Sequence, residues 1–408
     1  MRRTAWTTRS ATQRGFVLLA LMQVAFGFSL TAQQNIVTNY FKDVLRLAGP
    51  QFGYITAIRE VPGFLLIFVS ALFYRVSLQR LTAGALVLLA IAYALFGLSN
   101  SFWTVASWVV LSSMGYHTVL QTQYALGMSL TTEERGGAIL GRLSGVNQFG
   151  SLAGLTFILI TFHFGWLAFR SAFVLLGAVA LLGGIAIVGF PHLHNGEEQQ
   201  QAMDRPRLVL RRDYRYYYAL SVLDGGRQQV FFSFGLYVLV HAFHMDVAQV
   251  SALLMAVTFA AMLAGPTIGR SIDRYGERCL LSMVNVAYVV ALAGYAFTNN
   301  VIVASACYVV YTFITPLSPI AAATYLRKVA VPEDIAPSFA MGTTMQHAAA
   351  IVVPVTAGFI LNYVGYQVPF MIACGFAILT FFVTRRLDPL AQRSSGRVPA
   401  ERDTAAVA

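Results

Sequence analysis

The chain is predicted to be an all-α polytopic membrane protein with twelve transmembrane helices, and three observations predict it. First, 57% of its 408 residues are hydrophobic and 11% are charged, with mean hydropathy +0.65. A soluble domain carries about 25% charged residues, so this chain has too few to coat a water-facing surface. Second, apolar runs of about 20 residues recur along it, the length a helix needs to cross about 30 Å of hydrocarbon. Third, arginines and lysines gather in alternate loops between those runs, the pattern that orients membrane spans.

Taken in order, the spans read Gly15–Phe41, Gln51–Tyr74, Leu81–Ser99, Phe102–Leu130, Gly137–Thr161 and Phe169–Phe190. A polar stretch, Pro191–Asp213, then breaks the hydrophobicity near the middle of the chain. It holds Glu197-Glu198-Gln199-Gln200-Gln201, followed by Arg205, Arg207, Arg211 and Arg212. Further spans read Tyr214–Val240, Val247–Ile268, Leu280–Phe297, Val301–Leu326, Ala336–Tyr363 and Pro369–Thr384. The expected organisation is an N-terminal six-helix bundle at 1–190, a cytoplasmic linker at 191–213, a C-terminal six-helix bundle at 214–386, and a disordered cytoplasmic tail at 387–408. Arg2, Arg3, Arg9 and Arg14 precede the first run, which lacks a small-residue cleavage site and continues through Gln33-Gln34-Asn35. It reads as a retained span rather than a signal peptide.

Counting cations orients the spans. Arg75, Arg80, Arg135, Arg270, Arg274, Arg278, Arg327, Lys328, Arg385 and Arg386 share one side with the termini and linker, while the other side holds Lys42, Arg46 and Arg170. Both termini are therefore expected in the cytoplasm, which requires an even number of spans. The expected location is the inner (plasma) membrane of a bacterium, with the chain a monomer. The net charge of +11 raises nucleic acid as a partner, but its cations are spread over loops and not interleaved with aromatics in a groove. Cys279, Cys307 and Cys374 lie in or beside apolar runs and imply no disulfide framework.

The two halves look like copies at an offset of about 200 residues. Glu133-Glu134 before Gly136-Gly137-Ala138 aligns with Glu333-Asp334 before Ala336-Pro337-Ser338. Asn147 falls on His347, and Gly165-Trp166 falls on Gly365-Tyr366. Between the eighth and ninth spans stands Gly265-Pro266-Thr267-Ile268-Gly269-Arg270-Ser271-Ile272-Asp273-Arg274-Tyr275-Gly276-Glu277-Arg278. Its Gly269, Asp273, Arg274, Gly276 and Arg278 fill all five positions of Gly-x-x-x-Asp-Arg-x-Gly-x-Arg, so the chain resembles the major facilitator superfamily (MFS) of secondary transporters. At the corresponding loop of the first half, Ser70 to Gln79, only Arg75 survives. The resemblance implies two parallel six-helix bundles that rock about a midplane site. It also implies a latch: Asp273 aimed at the start of the fifth span, around Arg135-Gly136-Gly137, with Arg274 and Arg278 near Glu133 or Glu134.

Ionisable groups are costly in hydrocarbon and mark a cavity or a partner. Five lie well inside predicted spans: Arg59, Glu60, Arg142, Asp224 and Arg227. Asp224 and Arg227 are three apart and share a helical face. They form either a substrate site, with Gln228 beside them and Gly225-Gly226 as a hinge, or a self-neutralising pair that lets the helix insert. Arg59 and Glu60 are adjacent, about 100° apart round the helix, and are not expected on one face. Glu60 is the leading proton-coupling candidate, with Asp224 and His347 beside it; a structural salt bridge is the competing reading. Arg59 and Arg142 are assigned to the seam and gates, Arg142 also being placed to snorkel. His117 and Gln121 on the fourth span are the remaining substrate-binding candidates, against an equally ordinary role in packing.

Several classes are set aside. The chain has no phosphate-cradling Gly-Lys loop; its lysines are Lys42 and Lys328, so ATP-driven transport is not expected. His241 and His244 near Asp246, and His192 with His194, lack a full metal-ligand set. No cofactor is expected. No convergent acid–base set marks an enzyme, and the tail is too short for the output domain of a sensor. The function read from sequence is secondary transport of a small organic solute, with protons coupled and an anion marginally favoured. The alternative is a proton-driven exporter of amphipathic or cationic compounds. The Gly-Pro step that many such exporters carry in the fifth span is missing from Gly145-Val146-Asn147-Gln148-Phe149-Gly150.

Overall fold

The computed structural model describes residues 2–72, 76–130, 136–191 and 210–388. Among them every regular element is a helix. In chain order these are α1 (Arg2–Asp43), α2 (Gly49–Leu72), α3 (Leu78–Phe96), α4 (Phe102–Ser129), α5 (Gly136–His163) and α6 (Phe169–Val188). A short 3-10 turn, Arg212–Tyr214, leads into α7 (Arg215–His241). The run Val247–Phe297 turns at Gly276, whose φ of 71° and ψ of 159° are not helical, into two arms, α8 (247–275) and α9 (277–297). Only glycine takes that conformation without strain, which accounts for its place in the loop pattern. The segment Val301–Val329, here α10, breaks into Val301–Ile314 and Leu317–Val329 around Pro316, which lacks the N–H a continuous helix needs. Last come α11 (Pro332–Val364) and α12 (Gln367–Arg385).

Local chemistry sets the ends. Ser101 caps α4 by accepting from the Thr104 N–H while Thr104 returns the bond, and the Asn300 side chain accepts from Ile302 and Val303 at the start of α10. Pro332 opens α11, where a missing N–H costs nothing. Among the described residues, eight helices are long and apolar enough to cross a membrane. The helices α2, α4, α7 and α8 are not among those eight. Three of them carry Arg59 and Glu60, His117 and Gln121, and the run from Asp224 to Gln229.

The chain forms two compact units, Met1–Arg205 with Leu236–Met262, and Pro206–Gly235 with Leu263–Ala408. The far arms of α7 and α8 thus group with the N-terminal helices, a grouping the symmetric halves did not suggest. Polar bonds explain it. At the far end of α1, Asn35 donates to Ser251 Oγ at 2.5 Å, Asn39 to the Met245 carbonyl at 3.1 Å, and Lys42 Nζ to the Val240 carbonyl at 2.8 Å. Phe52 sets its ring edge-on to Tyr237, with centroids 4.9 Å apart.

Within the first unit, α1 crosses α5 at backbone contact. A Cβ on Gly27 would strike the Asn147 carbonyl, and one on Gly150 or Gly154 would strike the carbonyl of Val24 or Phe28. Small residues give such close crossings in a bilayer, where packing replaces the hydrophobic drive. The second unit repeats this: a Cβ on Gly225 would stand 3.2 Å from Gln346 Cα, so α7 meets α11 about 200 residues further on. Gly165 and Gly365, matched by sequence, both have positive φ, 67° and 99°. By contrast, a Cβ on Gly141 or Gly145 would meet nothing within 4 Å among the described residues. Gly225 and Gly226 sit in unbroken helix against Gln346 and the Phe376 ring, where their smallness permits close packing. Near the start of α7, the Tyr214 hydroxyl donates to Asp334 at 2.9 Å and Arg211 pairs with the same carboxylate at 2.9 Å.

Candidate functional site

Two buried carboxylates reach arginines inside these helices, in opposite surroundings. On α2, Arg59 donates through Nε and Nη2 to Glu60 Oε1, at 3.1 and 3.0 Å. The two residues leave the helix about 100° apart, and the long, forked arginine side chain wraps round that arc to its neighbour. Glu60 is 8% exposed, but the Arg59 side chain is 42% exposed. Pro62 lies inside α2 just beyond, Ser113 of α4 donates to the Arg59 carbonyl, and His117 packs its ring on Gly63, where a Cβ would meet it at 2.6 Å. The α2–α4 contact thus gathers Arg59, Glu60 and His117 in one unit.

On α7, Arg227 has no exposed surface and Asp224 is 3% exposed. Arg227 donates through Nη2 to Asp224 Oδ1 at 2.9 Å and through Nη1 to the Tyr311 hydroxyl at 2.7 Å. Its guanidinium carbon lies 3.5 Å from the centre of the Tyr288 ring, a cation–π contact, and Phe231 stacks on Tyr311 at 3.7 Å. Tyr288 in turn donates to the Ile314 carbonyl at 3.1 Å, beside the break in α10. Arg227 is the largest side chain buried this completely. The arrangement is a closed cage: it neutralises a charge and fastens α7 to α9 and α10.

Sequence reasoning passed over a third polar group. Asn147 of α5 donates to Gln23 Oε1 at 3.1 Å and to the Gln23 carbonyl at 3.2 Å, and Gln23 of α1 donates to Gln123 Oε1 of α4 at 2.8 Å. Thr31 donates to Ser151 at 2.9 Å further along the same crossing. Two glutamines inside apolar runs were the available signal, but which helical faces meet is not written in one run. The other sequence-predicted residues are dispersed. Gln121 is exposed on α4, Arg142 is exposed on α5, Gln228 is half-buried on α7, and His347 is half-buried on α11. Gly269, Asp273 and Arg274 lie in α8, their side chains outside the described set, as are Arg75, Glu133, Glu134, Arg135, His192 and His194. Beyond the turn at Gly276, Glu277 is buried and pairs with Lys328 Nζ at 2.6 Å, and Arg278 is exposed. His241 stacks on Tyr237 at 3.8 Å and is used in packing. Among the described residues no group of three or more metal-ligating side chains is gathered.

Residues 217–407 match the family model of the Major Facilitator Superfamily. That stretch, the C-terminal part of the chain, is what is similar to the superfamily in sequence. A crystal structure of a mutant of the nucleoside transporter NupG matches with a TM-score of 0.76 at 15% identity, covering 92% of this chain and 99% of that one. A bacterial homologue of the human lysosomal transporter Spinster, inward-facing and occupied, matches with a TM-score of 0.70 at 13% identity, covering 92% and 97%. In its inward-facing, unoccupied form the TM-score is 0.71 at 12% identity, over 96% and 99%. At these identities the likeness establishes the MFS fold. No curated protein sequence matches the chain. The apolar helices make the chain an integral membrane protein, and the fold leaves its cargo open.

Proposed function

We propose that this chain of MFS fold is a secondary active transporter of a small organic solute, driven by protons, in which two six-helix halves (1–190 and 214–386) alternate about a midplane site. The observation that carries this reading is the Arg59–Glu60 pair: a buried carboxylate held by a cation that keeps an open face. Proton arrival at Glu60 would remove its charge and release Arg59 to meet an anionic group. Proton and solute binding are then linked through one ion pair, and a lone buried carboxylate otherwise resists ionisation. The same reasoning moves the anion-binding role from Arg227, which is wholly buried against Asp224, Tyr288 and Tyr311, to the part-exposed Arg59. Of the three proton-coupling candidates, Glu60 has the supporting geometry; Asp224 is sealed with Arg227, and His347 would act as a polar neighbour of the pathway on α11. His117 and Gln121 on α4 would line the route beside Arg59.

The charge distribution supports cytoplasmic termini in a bacterial inner membrane, a monomeric transporter, and a latch at Gly269, Asp273, Arg274, Gly276 and Arg278 that holds one state. Reconstituted protein tests the reading. An inward pH gradient should drive accumulation of an anionic solute found by thermal-shift screening. Glu60→Gln should abolish that accumulation while sparing solute exchange. Full accumulation by Glu60→Gln would remove Glu60 from coupling, and uptake confined to cationic solutes would favour the exporter alternative.

A further inference from the structure

In the second unit a cavity of about 570 Å³ opens where α9, α10 and α12 end, lined by Tyr275, Arg278, Cys279, Ser282, Tyr325 and Arg385 among others. Arg278 and Arg385 are exposed, and neither is ion-paired to a described carboxylate. Glu277, the carboxylate in the lining, is taken by Lys328 at 2.6 Å. The cavity therefore presents two guanidinium groups with no carboxylate partner among the described residues, the side chain best shaped to grip phosphate oxygens in pairs.

The wall continues away from the arginines as an apolar strip. Cys279 is exposed, and beyond it Met283, Val286 and Val290 are 61%, 52% and 67% exposed. Their spacing of four, three and four residues places them on one face of α9. On a membrane helix an exposed apolar face meets acyl chains. A cationic pocket at a helix end, at headgroup level, thus caps a strip that runs into the hydrocarbon. Free phosphate would use the first feature alone; a phospholipid uses both.

We propose that this cavity binds the headgroup of an anionic phospholipid, with the phosphate held by Arg278 and Arg385 and an acyl chain laid along Cys279, Met283, Val286 and Val290. With the orientation argued above, the lipid belongs to the cytoplasmic leaflet, where basic pockets between helices meet such headgroups. The site stands apart from the Arg59–Glu60 pair and does not depend on what the transporter carries.

The test uses full-length protein in lipid-free detergent, given phosphatidylglycerol, phosphatidylcholine with the same chains, or inorganic phosphate. Binding is read by native mass spectrometry, and occupancy by the rate of thiol alkylation at Cys279, located by peptide mass spectrometry with the less exposed Cys307 and Cys374 as references. Phosphatidylglycerol should slow alkylation of Cys279 where the other two additions do not. Each arginine near the surface contributes about 1 kcal/mol toward an anionic lipid, so Arg278→Gln with Arg385→Gln should weaken retention about 30-fold. Equal protection by phosphatidylcholine, protection by inorganic phosphate alone, or unchanged retention by the double variant would each overturn the proposal. Should the double variant not fold, the wild-type comparison of the three additions decides by itself.

Discussion

The Arg59–Glu60 and Asp224–Arg227 pairs are made of the same two charges at nearly the same distance, 3.0 and 2.9 Å. Distance does not separate them; surroundings do. Arg227 donates to Asp224 and Tyr311 and lays its flat face on Tyr288, wholly buried, while its Nε makes no hydrogen bond among the described residues. Arg59 holds Glu60 with one edge and leaves two fifths of its side chain exposed. An intramembrane charge is therefore not by itself a transport site. A pair closed on every side is a fastening, and a pair with one open cation can exchange partners.

The largest effect separates the two pairs by stability. Arg227→Met leaves Asp224 buried without its cation, and removing one partner of a buried pair costs about 3–5 kcal/mol. Thermal unfolding in detergent should show a marked drop in Tm, and the double variant with Asp224→Leu should recover most of it. Arg59→Met, by comparison, removes a partner whose side chain is 42% exposed, and water reaching that side should make its cost the smaller of the two. Equal losses at the two sites would erase the distinction between fastening and working pair.

The two classes of small residue on α5 give the next test. Gly150→Leu drives a side chain into the Val24 carbonyl of α1, and overpacking of this kind costs about 1–3 kcal/mol. A Cβ at Gly141 meets nothing within 4 Å among the described residues, so Gly141→Ala should leave Tm unchanged. A smaller change in stability, with a large change in function, is expected from Glu60→Gln. It keeps the shape of the carboxylate and removes its charge, so Tm should move by about 1 kcal/mol or less in equivalent stability. pH-driven accumulation in proteoliposomes should vanish.

The helices were legible because hydropathy is a property of each run alone. So were the turns at Gly165, Gly276 and Gly365, because a positive φ leaves a glycine in the text. The break in α10 was also written, as Pro316, yet an apolar run read for length alone passes over it. What was not legible depends on two runs at once. Asp224 and Arg227 were correctly placed on one face, but the sequence does not say that Tyr288 and Tyr311 close over them from α9 and α10. Arg59 and Glu60 were placed apart by helical geometry because that geometry fixes Cβ atoms and not the reach of an arginine. Gln23 and Gln123 drew no attention, since an amide in an apolar run carries no sign of the partner it will face.

That amide relay offers the smallest and most discriminating effect. Asn147→Ala removes the donor to Gln23 while leaving the Gln23–Gln123 bond in place. Interhelical hydrogen bonds in membranes average about 0.6 kcal/mol, because a chain unfolded within the bilayer also finds partners. Asn147→Ala and Gln123→Ala should therefore each lower Tm slightly. Because both bonds pass through Gln23, their combined loss should differ from the sum of the single losses. Additive losses would mean that the three amides act as separate packing residues. Non-additive losses, with solute affinity falling alongside them, would extend the working region of the first unit from the α2–α4 pair to the α1–α5 crossing.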